Sequence, residues 1–223
     1  MKRIIVLTVM ISALGICCFS QNTRFGINAG GTLAFMKSKY QDRVEIIDGM
    51  KAGMNVGVVT EVPIAERLCF MPTLNFTQKG GNYRYSYSGY TFEGKRTLNY
   101  IELLLNVLFS SPAGDGKFFG GLGPGIPIGM SGKYKEEVKF GSQTVEEKGD
   151  IKFGNNENDD DYKPIDFGGN IMAGYEFSSS VFFALNYYLG LSSLVHNGNS
   201  EHRAKNRYFG IRVGYFLSRL SKK

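Results

Sequence analysis

Residues 25–35 read FGINAGGTLAF, an alternation of apolar with small or polar residues that recurs along the chain. Successive side chains of a β-strand point to opposite sides, so Phe25 and Ile27 would share one face and Asn28 and Thr32 the other. Nowhere after residue 20 does a 3.6-residue apolar period appear. The alternation therefore predicts an all-β protein.

Seven further segments repeat this pattern, which gives eight predicted strands. Their even number and their length of eleven or more residues suit strands that cross a bilayer. The connections between them alternate in length, as expected for a membrane barrel with short turns at one end and longer loops at the other. The seven segments are 50–62, 67–80, 97–109, 117–130, 165–177, 181–192 and 206–217. The connections are 37–49, 63–66, 81–96, 110–116, 131–164, 178–180 and 193–205.

The start of the chain is basic and is followed by an apolar run over residues 4–19. This arrangement predicts a secretory signal peptide over residues 1–20 and one barrel domain over residues 21–223. Two alternatives stay open. One is a membrane-anchor helix, although such a helix needs roughly 20 apolar residues. The other is a lipid attached to Cys17 or Cys18.

Charge and cysteine content exclude two classes of protein. The chain has 26 Lys and Arg against 20 Asp and Glu, and removal of Lys2 and Arg3 leaves 24 against 20, a net charge of +4. That excess is too small to indicate nucleic-acid binding. Cys69 would be the single cysteine of the mature chain, so no internal disulfide is possible.

Alternation alone leaves open which face points inward. A membrane barrel places the apolar face outside, whereas a soluble lipocalin-like barrel places it inside. The polar face is rich in glycine, which favours close packing within a narrow membrane barrel. Tyrosine and phenylalanine are expected as anchors at the membrane interface. Seven charged residues are predicted on the polar face: Lys51, Glu61, Lys79, Glu102, Asp166, Glu176 and Arg212.

Several motifs in order along residues 21–223 resemble the PorT-like outer-membrane β-barrel family of Bacteroidetes. They are FGINAG (25–30), PTLNFTQKG (72–80), NYIEL (99–103), GLGPG (121–125), FGGN (167–170), AGYEF (173–177), NRYF (206–209) and VGYF (213–216). The resemblance implies an eight-stranded antiparallel up-and-down transmembrane β-barrel in the cell outer membrane. Members that give the family its name serve protein secretion. This chain departs from such barrels by continuing past Phe216 instead of ending on an aromatic residue.

No catalytic motif is apparent, so no catalytic, cofactor-binding or metal-binding residue is predicted, and no cofactor is expected. His196 and His202 lie close in sequence to Ser192, Ser193, Ser200 and Glu201, which leaves a lipid-modifying enzyme as an alternative. The acidic run 157–161 lacks the spacing of an EF-hand and is expected to be a solvated loop.

Two other motifs have ordinary explanations. GLGPG at residues 121–125 lacks the Lys-Ser/Thr pair of a phosphate loop and fits packing inside a barrel. A basic group near the predicted outer rim would suit lipopolysaccharide phosphates, although solubility explains it equally well. Its members are His196, His202, Arg203, Lys205 and Arg207.

The leading expectation is an outer-membrane barrel that is not an enzyme and has a structural or binding role through its external loops, chiefly 131–164 and 81–96. An accessory barrel of protein secretion and a lipid-modifying enzyme are the alternatives. Expected partners are outer-membrane lipid and lipopolysaccharide, the barrel-assembly machinery, and unidentified extracellular or secretion partners.

Overall fold

The structure is a computed structural model that describes residues 23–40, 43–46, 49–87, 89–196 and 203–217. The predicted signal peptide lies outside the described residues, so its assignment stays a prediction. Within the described ranges, no helix is long and apolar enough to cross a membrane.

Ten strands account for most of the described chain, and every pairing between them is antiparallel. They are β1 (Arg24–Tyr40), β2 (Arg43–Ile46), β3 (Lys51–Ala65), β4 (Leu68–Tyr87), β5 (Tyr90–Ala113), β6 (Gly116–Phe140), β7 (Gln143–Ile151), β8 (Gly168–Glu176), β9 (Val181–Gly190) and β10 (Arg203–Phe216).

Eight of these strands form a closed ring. Each strand of the series β1, β3, β4, β5, β6, β8, β9, β10 pairs with the next. The last strand then pairs with the first, from Gly26 opposite Phe216 to Lys39 opposite Arg203. Closure leaves no open edge in the ring, which is the condition for burying backbone polar groups in lipid.

The described residues contain ten strands, two more than the eight that form the ring. The additional strands β2 and β7 lie within the predicted loops 37–49 and 131–164, and each pairs with one ring strand only. The predicted loop 81–96 is also largely strand. Strands were predicted from apolar alternation, which β7 lacks because its sequence is QTVEEKGDI. This strand pairs through its backbone with a mostly polar part of β6.

The apolar face of the ring points outward. Leu122 is 65% exposed and Leu185 is 62% exposed, whereas Asn170 on the opposite face is 1% exposed. On β5 the outward positions stay apolar from Ile101 to Phe109, nine residues, close to the 9–11 that a tilted membrane strand needs. The alternative of a soluble barrel with an apolar interior is therefore wrong.

The seven charges predicted on the polar face are all buried, which confirms that part of the reading. The interior is less dominated by glycine than expected, because asparagine and tyrosine side chains share it. Tyr100, Tyr188 and Tyr208 have 0% exposure inside the ring, so these three tyrosines are not interface anchors.

Candidate functional site: a layered interior and an external sheet

The lower rim of the ring, at the end with the short turns, carries an ion cluster of two cations and two carboxylates. Arg24 donates from Nε to Glu61 Oε2 at 2.6 Å and from Nη2 to Glu176 Oε2 at 2.8 Å. Lys117 Nζ lies 2.7 Å from Glu61 and 3.2 Å from Glu176. The two positive and two negative charges cancel, and the Arg24 guanidinium also stacks 4.4 Å from the centre of the Phe216 ring.

An apolar layer lies above this cluster. Phe182 packs against Phe216 with ring centres 5.1 Å apart and against Phe119 at 6.2 Å. This layer separates the ion cluster from the polar interior. Its buried members are Val59, Cys69, Met71, Leu108, Phe119, Met172, Phe182, Ala184 and Phe216.

Asparagines form two hydrogen-bonded groups in the next layer, and each group bridges over a glycine. Asn28 donates to Asn75 Oδ1 at 3.1 Å, and both residues are register partners of the intervening Gly57. A Cβ at Gly57 would lie 2.2 Å from that same Asn75 oxygen. Glycine is therefore required there for the two asparagines to meet across the strand between them.

The second group runs across β6. Asn186 donates to Asn170 Oδ1 at 3.0 Å, and Asn170 donates to Asn106 Oδ1 at 2.9 Å. Gly123 is the register partner of Asn170, and a Cβ there would lie 2.8 Å from the Cα of Asn106. The glycines of the interior thus make room for polar contacts between strands.

Several buried polar atoms of this region have no hydrogen-bond partner among the residues that the structure describes. Buried atoms of this kind are normally met by water, so the asparagine layer is a polar zone and not an apolar core. They include Asn28 Oδ1, Asn55 Oδ1, Thr73 Oγ1, Asn75 Nδ2, Asn106 Nδ2, Asn186 Oδ1, Arg212 Nε and Arg212 Nη1.

Above the asparagines, Lys79 and Glu102 form a fully buried ion pair, with Nζ 2.6 Å from Oε1. Glu102 also accepts hydrogen bonds from Tyr208 at 2.5 Å and from Thr77 at 3.2 Å. The Arg212 guanidinium lies 4.0 Å from the same carboxylate. Two cations therefore share one carboxylate at this level.

Three tyrosine rings surround the Lys79 ammonium group, at 3.9 Å for Tyr188, 4.9 Å for Tyr208 and 5.0 Å for Tyr100. A cation over the faces of aromatic rings is attracted by their negative charge density. The arrangement holds a fully buried lysine in the interior of the ring.

Asp166 supplies a second buried carboxylate near the mouth. It accepts a hydrogen bond from Ser192 Oγ at 2.7 Å and one from Asn206 at 3.4 Å. Asn206 also donates to the Tyr100 hydroxyl at 3.0 Å. Asp166 and Glu102 together carry as many negative charges as Lys79 and Arg212 carry positive ones.

The segment between β7 and β8 folds into the mouth of the ring. Gly129 donates its backbone N–H to Pro164 at 2.7 Å, and Lys163 donates to Leu194 at 2.8 Å. Phe153 thereby packs edge-on against Tyr100 at 5.4 Å. An apolar cluster closes the mouth, and its buried members are Met36, Leu98, Tyr100, Ile151, Phe153, Tyr162, Leu194 and Ala204.

Strands β4, β5, β6 and β7 extend beyond the mouth as a four-stranded sheet. Their lengths explain it, since β5 and β6 have 24 and 25 residues whereas β8 and β9 have 9 and 10. Near its tip, the face that continues the interior is apolar and open. Tyr90 stacks on Phe140 at 4.5 Å, and Phe140 and Val145 are 50% and 69% exposed.

The serine, histidine and acid residues of the enzyme alternative do not form a catalytic arrangement in the described part of the chain. Ser192 is bonded to Asp166 and to the backbone N–H of Phe167, not to a histidine. His196 Nε2 is buried and has no hydrogen-bond partner among the described residues. His202 and Glu201 lie outside the described residues.

The acidic run 157–161 takes part in a tight turn, in which Asp160 donates its N–H to the Asn156 carbonyl at 2.9 Å and accepts from Asn156 N–H at 2.9 Å. Among the residues that the structure describes, no group of three or more His, Cys, Asp and Glu residues is placed to hold a metal ion. GLGPG at residues 121–125 lies within β6 and is not a loop at the start of a helix.

The predicted basic group is partly assembled. Arg203, Lys205 and Arg207 lie along β10, and Lys205 is the register partner of Lys37 on β1. Of its two histidines, His196 lies in the segment after β9, and His202 is outside the described residues. A second basic group, on β5, β6 and β7, was not predicted. Its members are Lys95, Lys133, Lys135 and Lys148, which come from three strands and lie up to 53 residues apart in the sequence.

Comparison with known proteins agrees with this architecture. Residues 19–196 match the family model described as outer membrane protein beta-barrel domain. No curated protein matches the chain significantly.

Among solved structures, the Ail attachment invasion locus protein of Yersinia pestis, in complex with the heparin analogue sucrose octasulfate, has a TM-score of 0.42 and 15% identity. The match covers 87% of this chain and 99% of that one. Neisserial surface protein A has a TM-score of 0.40 and 11% identity, with coverage of 86% and 96%. The family match extends over most of the chain: this protein belongs to the outer membrane protein beta-barrel domain family, and its location is the cell outer membrane.

Proposed function

We propose that the eight-stranded ring spans the outer membrane as a closed, side-chain-filled barrel, and that the protein acts by binding through its external sheet, not by transport or catalysis. The observation that carries this proposal is the succession of buried layers from the Arg24 cluster to the Phe153 cluster. An eight-stranded barrel is narrow enough for side chains to fill it, and these layers do so.

Orientation follows from the lengths of the connections. The turns at 66–67, 114–115 and 178–180 are short, whereas the opposite end carries the four-stranded sheet and the segment 152–167. Short turns lie on the periplasmic side of outer-membrane barrels and long extensions lie outside the cell. The sheet of β4 to β7 therefore faces the exterior.

The external sheet has the features of a binding surface. Its tip exposes Tyr90, Phe140 and Val145, and exposed apolar groups in one place favour contact with another molecule. The outer edge of β7 has no neighbouring strand in the described chain, and a free edge can accept an extended segment of a partner. A role as a binding or structural protein of the cell surface is the function that this geometry supports best.

Epitope insertion tests the orientation on which the proposal depends. One tag is placed between Gly141 and Ser142 at the tip of the β6–β7 hairpin, and a matched tag between Gly114 and Asp115 in a short turn. We expect antibody to label the first tag on intact cells and the second only after permeabilisation. Labelling in the reverse order would contradict the proposal.

A further inference from the structure

The outward face of β5 and β6 changes from apolar to polar between one residue pair and the next. Ile101 opposite Ile128 is the last apolar pair, and the next outward pair is Asn99 opposite Ser131. Asn99 donates to Ser131 at 3.1 Å and accepts from Gln78 at 3.2 Å, which forms a collar of neutral polar groups. This collar marks the upper limit of the apolar belt on this side of the barrel.

Lysines follow immediately above the collar. Thr97, Lys133 and Asp150 form one row across the three strands, and Lys95, Lys135 and Lys148 form the next. The second row places three ammonium groups on directly paired positions. Like charges directly opposite each other destabilise a sheet, so this arrangement is unfavourable in the protein alone.

Internal ion pairs compensate these charges only in part. Lys135 contacts Glu137 and Glu146, each at 2.7 Å, and Lys148 also contacts Glu146. Glu137 is shared with Lys139 at 3.5 Å. Neither Lys95 nor Lys133 has an ion-pair partner in the described part of the chain.

The four lysines surround an open depression of about 350 Å³. Asp150 is the single carboxylate among its lining residues, so positive charge dominates the surface. The lining residues are Lys95, Thr97, Lys133, Tyr134, Lys135, Lys148, Gly149 and Asp150.

We propose that Lys95, Lys133, Lys135 and Lys148 form a binding site for the phosphate-bearing head group of an outer-leaflet lipid. The inference rests on the proposed function, because it needs the belt below the collar to lie in lipid. An amphipathic molecule matches the surface, with its acyl chains on Ile101 and Ile128 and its phosphate among the lysines. Lysine side chains reach several ångströms along a surface while keeping their charge in the head-group layer.

A second cationic group supports this position relative to the membrane. On the opposite side of the ring, Arg207 lies directly above the outward-facing Phe209, and Lys205 comes next along β10. Cations thus follow the apolar belt on two sides. A lipid accounts for this placement better than a soluble anion, because the site continues an apolar surface.

Native mass spectrometry tests the site by measuring how tightly a bisphosphorylated lipid A binds to the full-length mature protein in neutral detergent. The variant is Lys95→Gln with Lys133→Gln, and the control with the same change of charge is Lys152→Gln with Lys163→Gln. Dephosphorylated lipid A and inorganic phosphate serve as the other two probes. Heat-modifiable gel migration confirms that each variant is folded.

We expect the variant with Lys95→Gln and Lys133→Gln to bind bisphosphorylated lipid A about tenfold or more weakly than the wild type. Each lysine near an anionic surface contributes substantially to the binding free energy. The control should bind like the wild type, and the dephosphorylated lipid should bind weakly to all forms. Equal weakening in the control, no preference for phosphate, or equally tight binding of inorganic phosphate would each overturn the inference. If the barrel itself were misassigned, the wild-type protein would be absent from the outer-membrane fraction, which separates the two failures.

Discussion

Lys79 and Glu102 form an ion pair of 2.6 Å with both side chains fully buried at the centre of the ring. Removal of one partner from such a buried pair leaves a buried charge without its nearest counter-charge, which is strongly destabilising. The pair is held by groups from several strands, since Tyr188 and Tyr208 also contact the lysine. The ion pair therefore brings residues that are far apart in the sequence into one buried layer.

Replacement of this lysine is expected to weaken the barrel. Lys79→Met should lower the free energy of unfolding by about 3–5 kcal/mol, measured by urea titration in lipid vesicles. The exposed Lys152→Met is the control and should change it by less than about 0.5 kcal/mol. A Lys79 variant as stable as the control would show that the buried pair has no structural role.

Glycine in the asparagine layer gives a second prediction. A Cβ at Gly123 would lie 1.9 Å from the Leu105 carbonyl oxygen, whereas a Cβ at Gly169 has no neighbour within 4 Å. Gly123→Ala should therefore cost about 1–3 kcal/mol or more of unfolding free energy, and Gly169→Ala should be close to neutral. The same unfolding titration distinguishes them, and equal stability of the two variants would be evidence against the asparagine bridge over β6.

The layered interior predicts the absence of a stable channel. Wild-type protein in planar bilayers should show no stepwise conductance, because side chains fill a ring of eight strands. Phe153→Ala with Tyr162→Ala removes the cluster at the mouth, but the Lys79 layer and the apolar layer of Phe182 remain below it. The double variant should also stay closed, and discrete openings in it would mean that the mouth alone seals the barrel.

Acid should affect the external hairpin. The hydrogen bond from Lys135 and then that from Lys148 lower the pKa of Glu146 below its ordinary value, and this group lies on β7, which is not a strand of the closed ring. A carboxyl whose pKa is lower in the folded state stabilises that state above its ordinary pKa of roughly 4.3, and the contribution is lost as the pH falls through the folded pKa.

Titration of the Glu146 carboxyl carbon by NMR checks this. Lys135→Gln should move the pKa of Glu146 upward towards the ordinary value, whereas Lys152→Gln should leave it where it is. If the pKa of Glu146 were unchanged in the Lys135 variant, Lys135 would not be the main cause of the lowered pKa.

Sequence reasoning could predict the faces of the ring strands, because a strand has a fixed period of two. Ile27 and Asn28 were assigned to opposite faces on that basis, and the structure confirms both positions. The same logic placed Arg212 on the polar face, where it is 1% exposed.

The contacts between strands could not be predicted in the same way. Asn28 and Asn75 are 47 positions apart, and their hydrogen bond depends on the register that ring closure imposes. The rows of lysine on β5 to β7 depend on a hairpin whose strand β7 has no apolar alternation over its length. A count of charges at alternate positions from 133 to 139 would have been the available signal for that extension.

The most direct test of the account is a spin-label scan along β9, in a Cys69→Ser background. Labels at Phe183 and Leu185 should collide readily with oxygen dissolved in lipid and poorly with a water-soluble nickel complex, whereas labels at Ala184 and Asn186 should be shielded from both. That result would place the apolar face of the closed ring in the membrane. Preferential access of the nickel complex to positions 183 and 185, or loss of the alternation, would contradict it.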